Sequence, residues 1–163
     1  MKTDNALARQ LANYREYHMD HRNVLTHAIG IPLIVLAITT LLARPAIASL
    51  AFPITPALIL AAIAAVWYIL LDIKIGVLMT LLLAAFCYLG HSIAAASALA
   101  WLGGGIGLFV VGWALQLLGH LYEGRKPAFV DDLRSFLVGP LFIVMEGMFA
   151  LGMLKGLRQD VEG

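Results

Sequence analysis

The sequence predicts an all-α fold, a polytopic membrane helix bundle, on three observations. Of the 163 residues, 61% are apolar and only 13% charged, against about 45–50% and about 25% in an average soluble domain. Apolar runs close to the roughly 20 residues that cross the hydrocarbon recur along the chain. The charges fall between those runs. A soluble body of this size has too much surface to hide such a composition, so lipid is the expected solvent and the lipid bilayer an expected partner.

The first 23 residues carry Lys2, Arg9, Arg15 and Arg22. They lack the early apolar core and small-residue cleavage site of a secretory signal, so this segment is expected to stay in the mature protein. Residues 4–19 read as an amphipathic helix: Asp4 or Asn5 can cap it, and Leu7, Leu11, Tyr14 and His18 recur at three- or four-residue spacing. The segment 1–22 is expected to lie along the membrane surface.

The first span runs from Val24 to Ala43 and stops at Arg44-Pro45, with Pro32 as a kink. A second covers roughly Pro56 to Leu71, or begins earlier, near Ile47, if Pro53 and Pro56 fall close to its entrance, and Asp72 and Lys74 close it. The third begins at Ile75 and continues to Trp101; Gly103-Gly104-Gly105 is expected to break the helix before a fourth run, Ile106 to Tyr122. Four spans thus occupy 23–122. A polar loop, 123–135, leads to a last apolar stretch, 136–155. Its Pro140, Gly139, Gly147 and Gly152 suit a re-entrant piece as well as a fifth helix, since irregular backbone is tolerated at membrane depth when protein buries it. One membrane domain over 1–163 is expected.

Short cytoplasmic loops favour Lys and Arg. Four such residues precede the first span, and Arg125, Lys126 and Arg134 follow the fourth. A cytoplasmic N-terminus with four crossings fits that pattern. Lys155 and Arg158 then reach the same side if the last stretch dips in and returns, which favours the re-entrant reading.

Several functions lose support here. A net charge of +1 argues against nucleic acid. Cys87, the single cysteine, sits in an apolar run and offers no CxxC metal or redox pair. There is no GxSxG, Walker loop or HExxH, and five histidines are too few for the boxes of di-iron membrane desaturases. A transporter would want polar groups near the midplane, where only His91, Ser97 and Glu146 qualify.

Polar groups near lipid are costly unless paired or used, and they fall in two clusters. Tyr17-His18-Met19-Asp20-His21-Arg22-Asn23 precedes His27; on a continuous helix Asn23 and His27 share a face, as does His18 with His21 or Arg22. Gln116, His120 and Glu123 form a second stripe at the end of the fourth span. The topology brings His18, His27, His120 and Glu123 to a similar depth. Imidazole is the commonest metal ligand; two histidines with a carboxylate suit non-haem Fe(II), and three suit zinc.

Gln116, Asn23 and Tyr122 could supply hydrogen bonds around such a site, or all these groups could only snorkel and cap helix ends. His91 lies about 24 Å along the third span at about 1.5 Å per residue, which suggests a structural role at the opposite face. His21 sits close to the right place but can face solvent. Glu146, in an apolar stretch, is either a buried hydrogen-bonding group or a ligand. Arg125 and Lys126 could attract a fatty acid carboxylate or anchor to anionic lipid, while Trp67, Trp101 and Trp113 read as packing residues.

Tyr17-His18, then Asn23-Val24-Leu25-Thr26-His27 and Pro32, and later Gly112-Trp113, Gln116, Gly119-His120, Glu123, Arg125, Pro127-Ala128 and Asp132-Leu133 make a longer pattern. With Pro140, Phe142 and Glu146 it spans nearly the whole chain. It resembles the membrane 2-hydroxy fatty acid dioxygenase family. The resemblance implies an Fe(II)-dependent enzyme that cleaves C1 from C2 of a 2-hydroxy fatty acid with O2, leaving a chain one carbon shorter. His18, His27 and His120 match as iron ligands, and His21 and His91 do not. Glu123 matches as a ligand or as a group orienting His120, with Gln116 and Asn23 beside it. Location in the inner membrane of a bacterium, or the endoplasmic reticulum of a eukaryote, is implied as well. A non-enzymatic metal- or lipid-binding membrane protein is the other reading; the sequence sets no oligomeric state.

Overall fold

The computed structural model of the chain describes residues 6–49 and 53–162. Seven α-helices dominate them: α1 (Ala6–Arg15), α2 (His21–Leu41), α3 (Pro56–Leu71), α4 (Ile73–Ala96), α5 (Gly105–Glu123), α6 (Ser135–Ala150) and α7 (Lys155–Glu162). A π-helical stretch, Leu99–Gly104, leads into α5, and a 3-10 turn, Ala128–Val130, follows it. Between α2 and α3 the two-residue strands β1 (Ala48–Ser49) and β2 (Pro53–Ile54) pair antiparallel. The chain gathers into two compact units, one of the described residues up to Ile31 with those from Leu115 onward, the other Pro32–Ala114.

In the unit Pro32–Ala114, α3 and α4 form a hairpin around Asp72. Pro56 stands in the first turn of α3, where a missing N–H leaves no bond unmade, and Thr55 caps that turn by accepting from Leu58 N at 3.4 Å. Asp72 closes α3 by donating its N–H to Tyr68 O, then caps α4 by accepting from Ile75 N at 2.9 Å. So short a corner presses backbones together: a Cβ on Gly76 would lie 2.4 Å from Ile69 Cα. Likewise a Cβ on Gly90 of α4 would lie 2.7 Å from the backbone of Thr39 and Thr40 on α2. Apolar side chains gain nothing by leaving lipid, so close approach at small residues is what packs such helices.

The chain after α4 departs from expectation. Gly103 and Gly104 are helical, and the break comes earlier, at an extended Ser97 whose Oγ accepts from Ala100 N at 2.9 Å. Serine starts a helix by capping an orphan N–H, while glycine among apolar neighbours keeps its helical bonds because no water competes for them. The third helix therefore ends at Ala96 and not at Trp101. Trp101 instead secures the end of α2, donating Nε1–H to Leu41 O at 3.0 Å, with the Arg44 guanidinium 4.8 Å over its ring.

Three helices, α2, α4 and Leu99–Glu123, are long and apolar enough to cross a membrane. The apolar α3, with 16 residues, is shorter. Leu60, Ile63, Val66 and Leu70 of α3, Leu81 of α4 and Leu121 of α5 are exposed, as lipid-facing residues must be.

In the other unit α1 is shorter than the expected 4–19, and its proposed caps Asp4 and Asn5 lie outside the described residues. Leu7, Leu11 and Tyr14 form the expected buried face, which packs on α6 and α7. The helix ends at Arg15, so His18 sits in a corner before α2. The continuous helix that would pair His18 with His21 or Arg22 is absent, because Asp20 starts a new one by accepting from Arg22 N at 2.8 Å. The last apolar stretch begins at Ser135 and bends by 119° into α7, through Gly152 and Leu154 at φ 74° and 51°.

The C-terminal turns of α5 meet α2 at Gly119. A Cβ there would lie 2.3 Å from both Asn23 Oδ1 and Thr26 Oγ1 and 3.0 Å from His27 Nδ1. Gly119→Ala gains up to about 1 kcal/mol of helix propensity but overpacks at a cost of about 1–3 kcal/mol. It should therefore lower the melting temperature in detergent. Gly107→Ala on the same helix, where a Cβ meets nothing within 4 Å, should leave it unchanged or raise it.

Candidate metal centre

Three histidines converge in the unit that contains α1 and α7. His18 comes from the α1–α2 corner, His27 from the second turn of α2 and His120 from the last turn of α5. One ring nitrogen from each lies within 4.8 Å of the others. Ring centroids are 4.5 Å apart for His18 and His27, 5.3 Å for His18 and His120, and 4.9 Å for His27 and His120. Only 3%, 1% and 7% of the three residues is exposed.

Backbone carbonyls orient two of the rings. His18 Nδ1 lies 2.8 Å from Tyr14 O, with the ring stacked on Tyr14 at 4.2 Å. His27 Nδ1 lies 2.9 Å from Asn23 O, which also accepts from Thr26 Oγ1. A carbonyl only accepts, so the hydrogen-bond network assigns the proton of each ring to Nδ1 and leaves Nε2 with a lone pair. Burial pushes the His18 imidazole down to about 4, which keeps it in the neutral form that ligates metals.

Among the described residues, buried His18 Nε2 and His120 Nδ1 have no hydrogen-bond partner. An unsatisfied buried polar atom costs about 1–3 kcal/mol. Two of them in one cluster of neutral imidazoles fit a cation, and the donor set is one that zinc and first-row transition metals accept.

Glu123 stands on the same helix as His120, but its carboxylate faces the α1–α2 corner. Oε1 accepts from Met19 N at 2.9 Å, and Oε2 accepts from Asp20 N at 2.9 Å and Asn23 Nδ2 at 3.0 Å. Asn23, fully buried, donates also to Tyr17 O at 3.1 Å, and its Oδ1 has no partner among the described residues. Gln116 is buried one turn before His120, with Nε2 likewise unpartnered.

The other polar residues are placed differently. Tyr122 lies under the Arg22 guanidinium at 4.6 Å. Exposed His21 is outside the cluster, and so is exposed His91 on α4. Glu146 is half-buried, 4.0 Å from Arg15. Arg125 donates to Glu16 O at 2.7 Å, and Lys126 pairs with Asp131. Trp67 packs on Tyr68 and Trp113 on Phe109.

Sequence reading missed the carbonyl of Tyr14, although a histidine four residues after a helical residue is a usable signal. It missed the close approach at Gly119, for which a glycine beside a ligand candidate is a weaker one. The pairing of Glu123 with the amides of Met19 and Asp20 left no local signal. A cavity of about 170 Å³ beside His18 also escaped it, lined by Arg15, Met19, His21, Val24, Phe142 and Glu146.

The chain is similar in sequence to known proteins. The family model described as 2-hydroxy-palmitic acid dioxygenase Mpo1-like matches residues 5–151. The 2-hydroxy-palmitic acid dioxygenase MPO1 of Saccharomyces cerevisiae is 32% identical over 160 residues, covering 96% of this chain and 87% of the yeast protein. No solved structure matches the chain. The match takes in both stretches that supply the clustered histidines, and the chain belongs to the Mpo1-like family of 2-hydroxy-palmitic acid dioxygenase relatives.

Proposed function

We propose that this protein is an Fe(II)-dependent dioxygenase of the membrane that acts on 2-hydroxy fatty acids and shortens them by one carbon. The convergence of three buried imidazoles, one ring nitrogen of each within 4.8 Å of the others and two of the rings with an unpartnered nitrogen, carries this reading; family membership supplies the substrate class. His18, His27 and His120 hold the iron. When bound, it supplies the activation of O2 that no amino-acid side chain provides. The net change balances without an outside reductant: R–CH(OH)–COOH and O2 give R–COOH, CO2 and water, with the C1–C2 bond broken and C2 oxidised to the new acid.

The surrounding residues position. Tyr14 O and Asn23 O fix the tautomers of His18 and His27, so that each offers Nε2. Glu123 and the amide of Asn23 hold the α1–α2 corner against α5. Gln116 Nε2–H, buried and unpartnered, is available to donate to a substrate oxygen. The bilayer delivers the substrate, in the inner membrane of a bacterium or the endoplasmic reticulum of a eukaryote.

Protein reconstituted with ferrous iron under nitrogen should bind close to one iron per chain. On admission of air with 2-hydroxypalmitate it should consume O2 and yield the acid one carbon shorter. His18→Ala, His27→Ala and His120→Ala should each lose iron and turnover while keeping their helical circular dichroism; full turnover by all three would refute the ligand set. Iron bound without O2 consumption on any 2-hydroxy acid would point to the non-enzymatic reading. Glu123→Gln keeps an acceptor but removes the charge, and should weaken iron affinity by about 10–100-fold in chelator competition.

A further inference from the structure

One cavity borders His18, one of the clustered histidines. Met19, Val24 and Phe142 give it apolar lining, and Arg15, His21 and Glu146 give it polar lining. At about 170 Å³ it is smaller than the roughly 300–1,000 Å³ of pockets that enclose a drug-sized ligand. It can hold a polar head and a few methylenes, and a long acyl chain must leave it for lipid.

We propose, on the dioxygenase reading, that this cavity receives the acid head of the substrate and that Arg15 recognises its carboxylate. An arginine fork matches a carboxylate in shape and charge, and Arg15 already holds one: Nη1 donates to Glu162 Oε1 of α7 at 3.0 Å, with Glu146 Oε1 at 4.0 Å. An incoming carboxylate can replace Glu162 like for like. Glu162 is not stranded by the exchange, because Arg158 Nε donates to the same oxygen at 2.9 Å. The other cations near the corner are committed elsewhere, Arg125 to the Glu16 carbonyl and Lys126 to Asp131, and neither lines the cavity. Arg15 thus brings the reacting end of the substrate into the cavity that His18 borders, and α7 occupies the anion position until it arrives.

The test measures binding without turnover. Iron-loaded full-length protein in detergent micelles, under nitrogen, is titrated with 2-hydroxypalmitate and with its methyl ester, which has the same tail and no charge. Wild type should bind the acid more tightly. Arg15→Gln should weaken acid binding by tenfold or more, with the ester unaffected. Glu162→Gln, which removes the competing carboxylate and leaves Arg15 in place, should tighten acid binding several-fold.

If Arg15 only pins α7, Glu162→Gln will instead weaken binding as Arg15→Gln does, and the proposal is overturned. It is overturned equally by an Arg15→Gln protein that still prefers acid to ester, or by a wild type with no preference. Should Arg15→Gln fail to fold, the Glu162→Gln titration decides alone, tightening supporting the proposal and its absence refuting it. Acid-selective binding that passes these controls with no O2 uptake once air is admitted would remove the dioxygenase reading and leave the carboxylate site standing.

Discussion

The carboxylate of Glu123 is the constraint on which the histidine cluster depends. A corner between two helices leaves backbone N–H groups that the following helix cannot satisfy internally. Glu123 accepts from two of them, on Met19 and Asp20, and from the Asn23 side chain one turn on. Its charge also stands at the N-terminus of α2, where the helix dipole favours an anion. The corner is held between His18 and His27, and the residue that holds it is three residues from His120. The latch and the third imidazole are on one turn of α5, so the corner cannot leave α5 without dispersing the cluster.

Close approach makes this possible. Gly119 lets α5 come near enough to α2 for Asn23, Thr26 and His27 to fill the space a methyl group would take. On α6, a Cβ at Gly139 would come within 3.0 Å of the Tyr14 hydroxyl, and Phe142 packs against the rings of Tyr14 and His18. Hydrophobic association is weak among lipid-facing helices, so steric fit at small residues sets where they cross. The polar cluster is placed by the same contacts that pack the helices.

The three histidines are buried, which is costly in a structural role and useful in a ligating one. His18 and His27 each spend Nδ1–H on a backbone carbonyl and keep Nε2 in reserve. That is the arrangement by which proteins orient metal-binding imidazoles. Family membership gives the class of relative, while the arrangement of these rings marks a place in this chain that could hold a metal ion.

Much of this was legible in one dimension. Apolar run length gave away the membrane helices, and Pro56 and Asp72 marked the ends of α3 to within a few residues, because capping and the missing proline N–H act within four positions of chain. The candidate ligands were also legible, since ionisable groups are conspicuous against an apolar background. Where the helices stop was less so: three glycines looked like the break, and Ser97 made it, because only a side chain bonding back to Ala100 distinguishes a helix start from a helix interior. The α1–α2 corner, the Glu123 latch and the cavity at Arg15 belong to the tertiary structure alone. They are set by partners about a hundred or more residues away in sequence, and no local pattern encodes a hydrogen bond whose acceptor arrives on another helix.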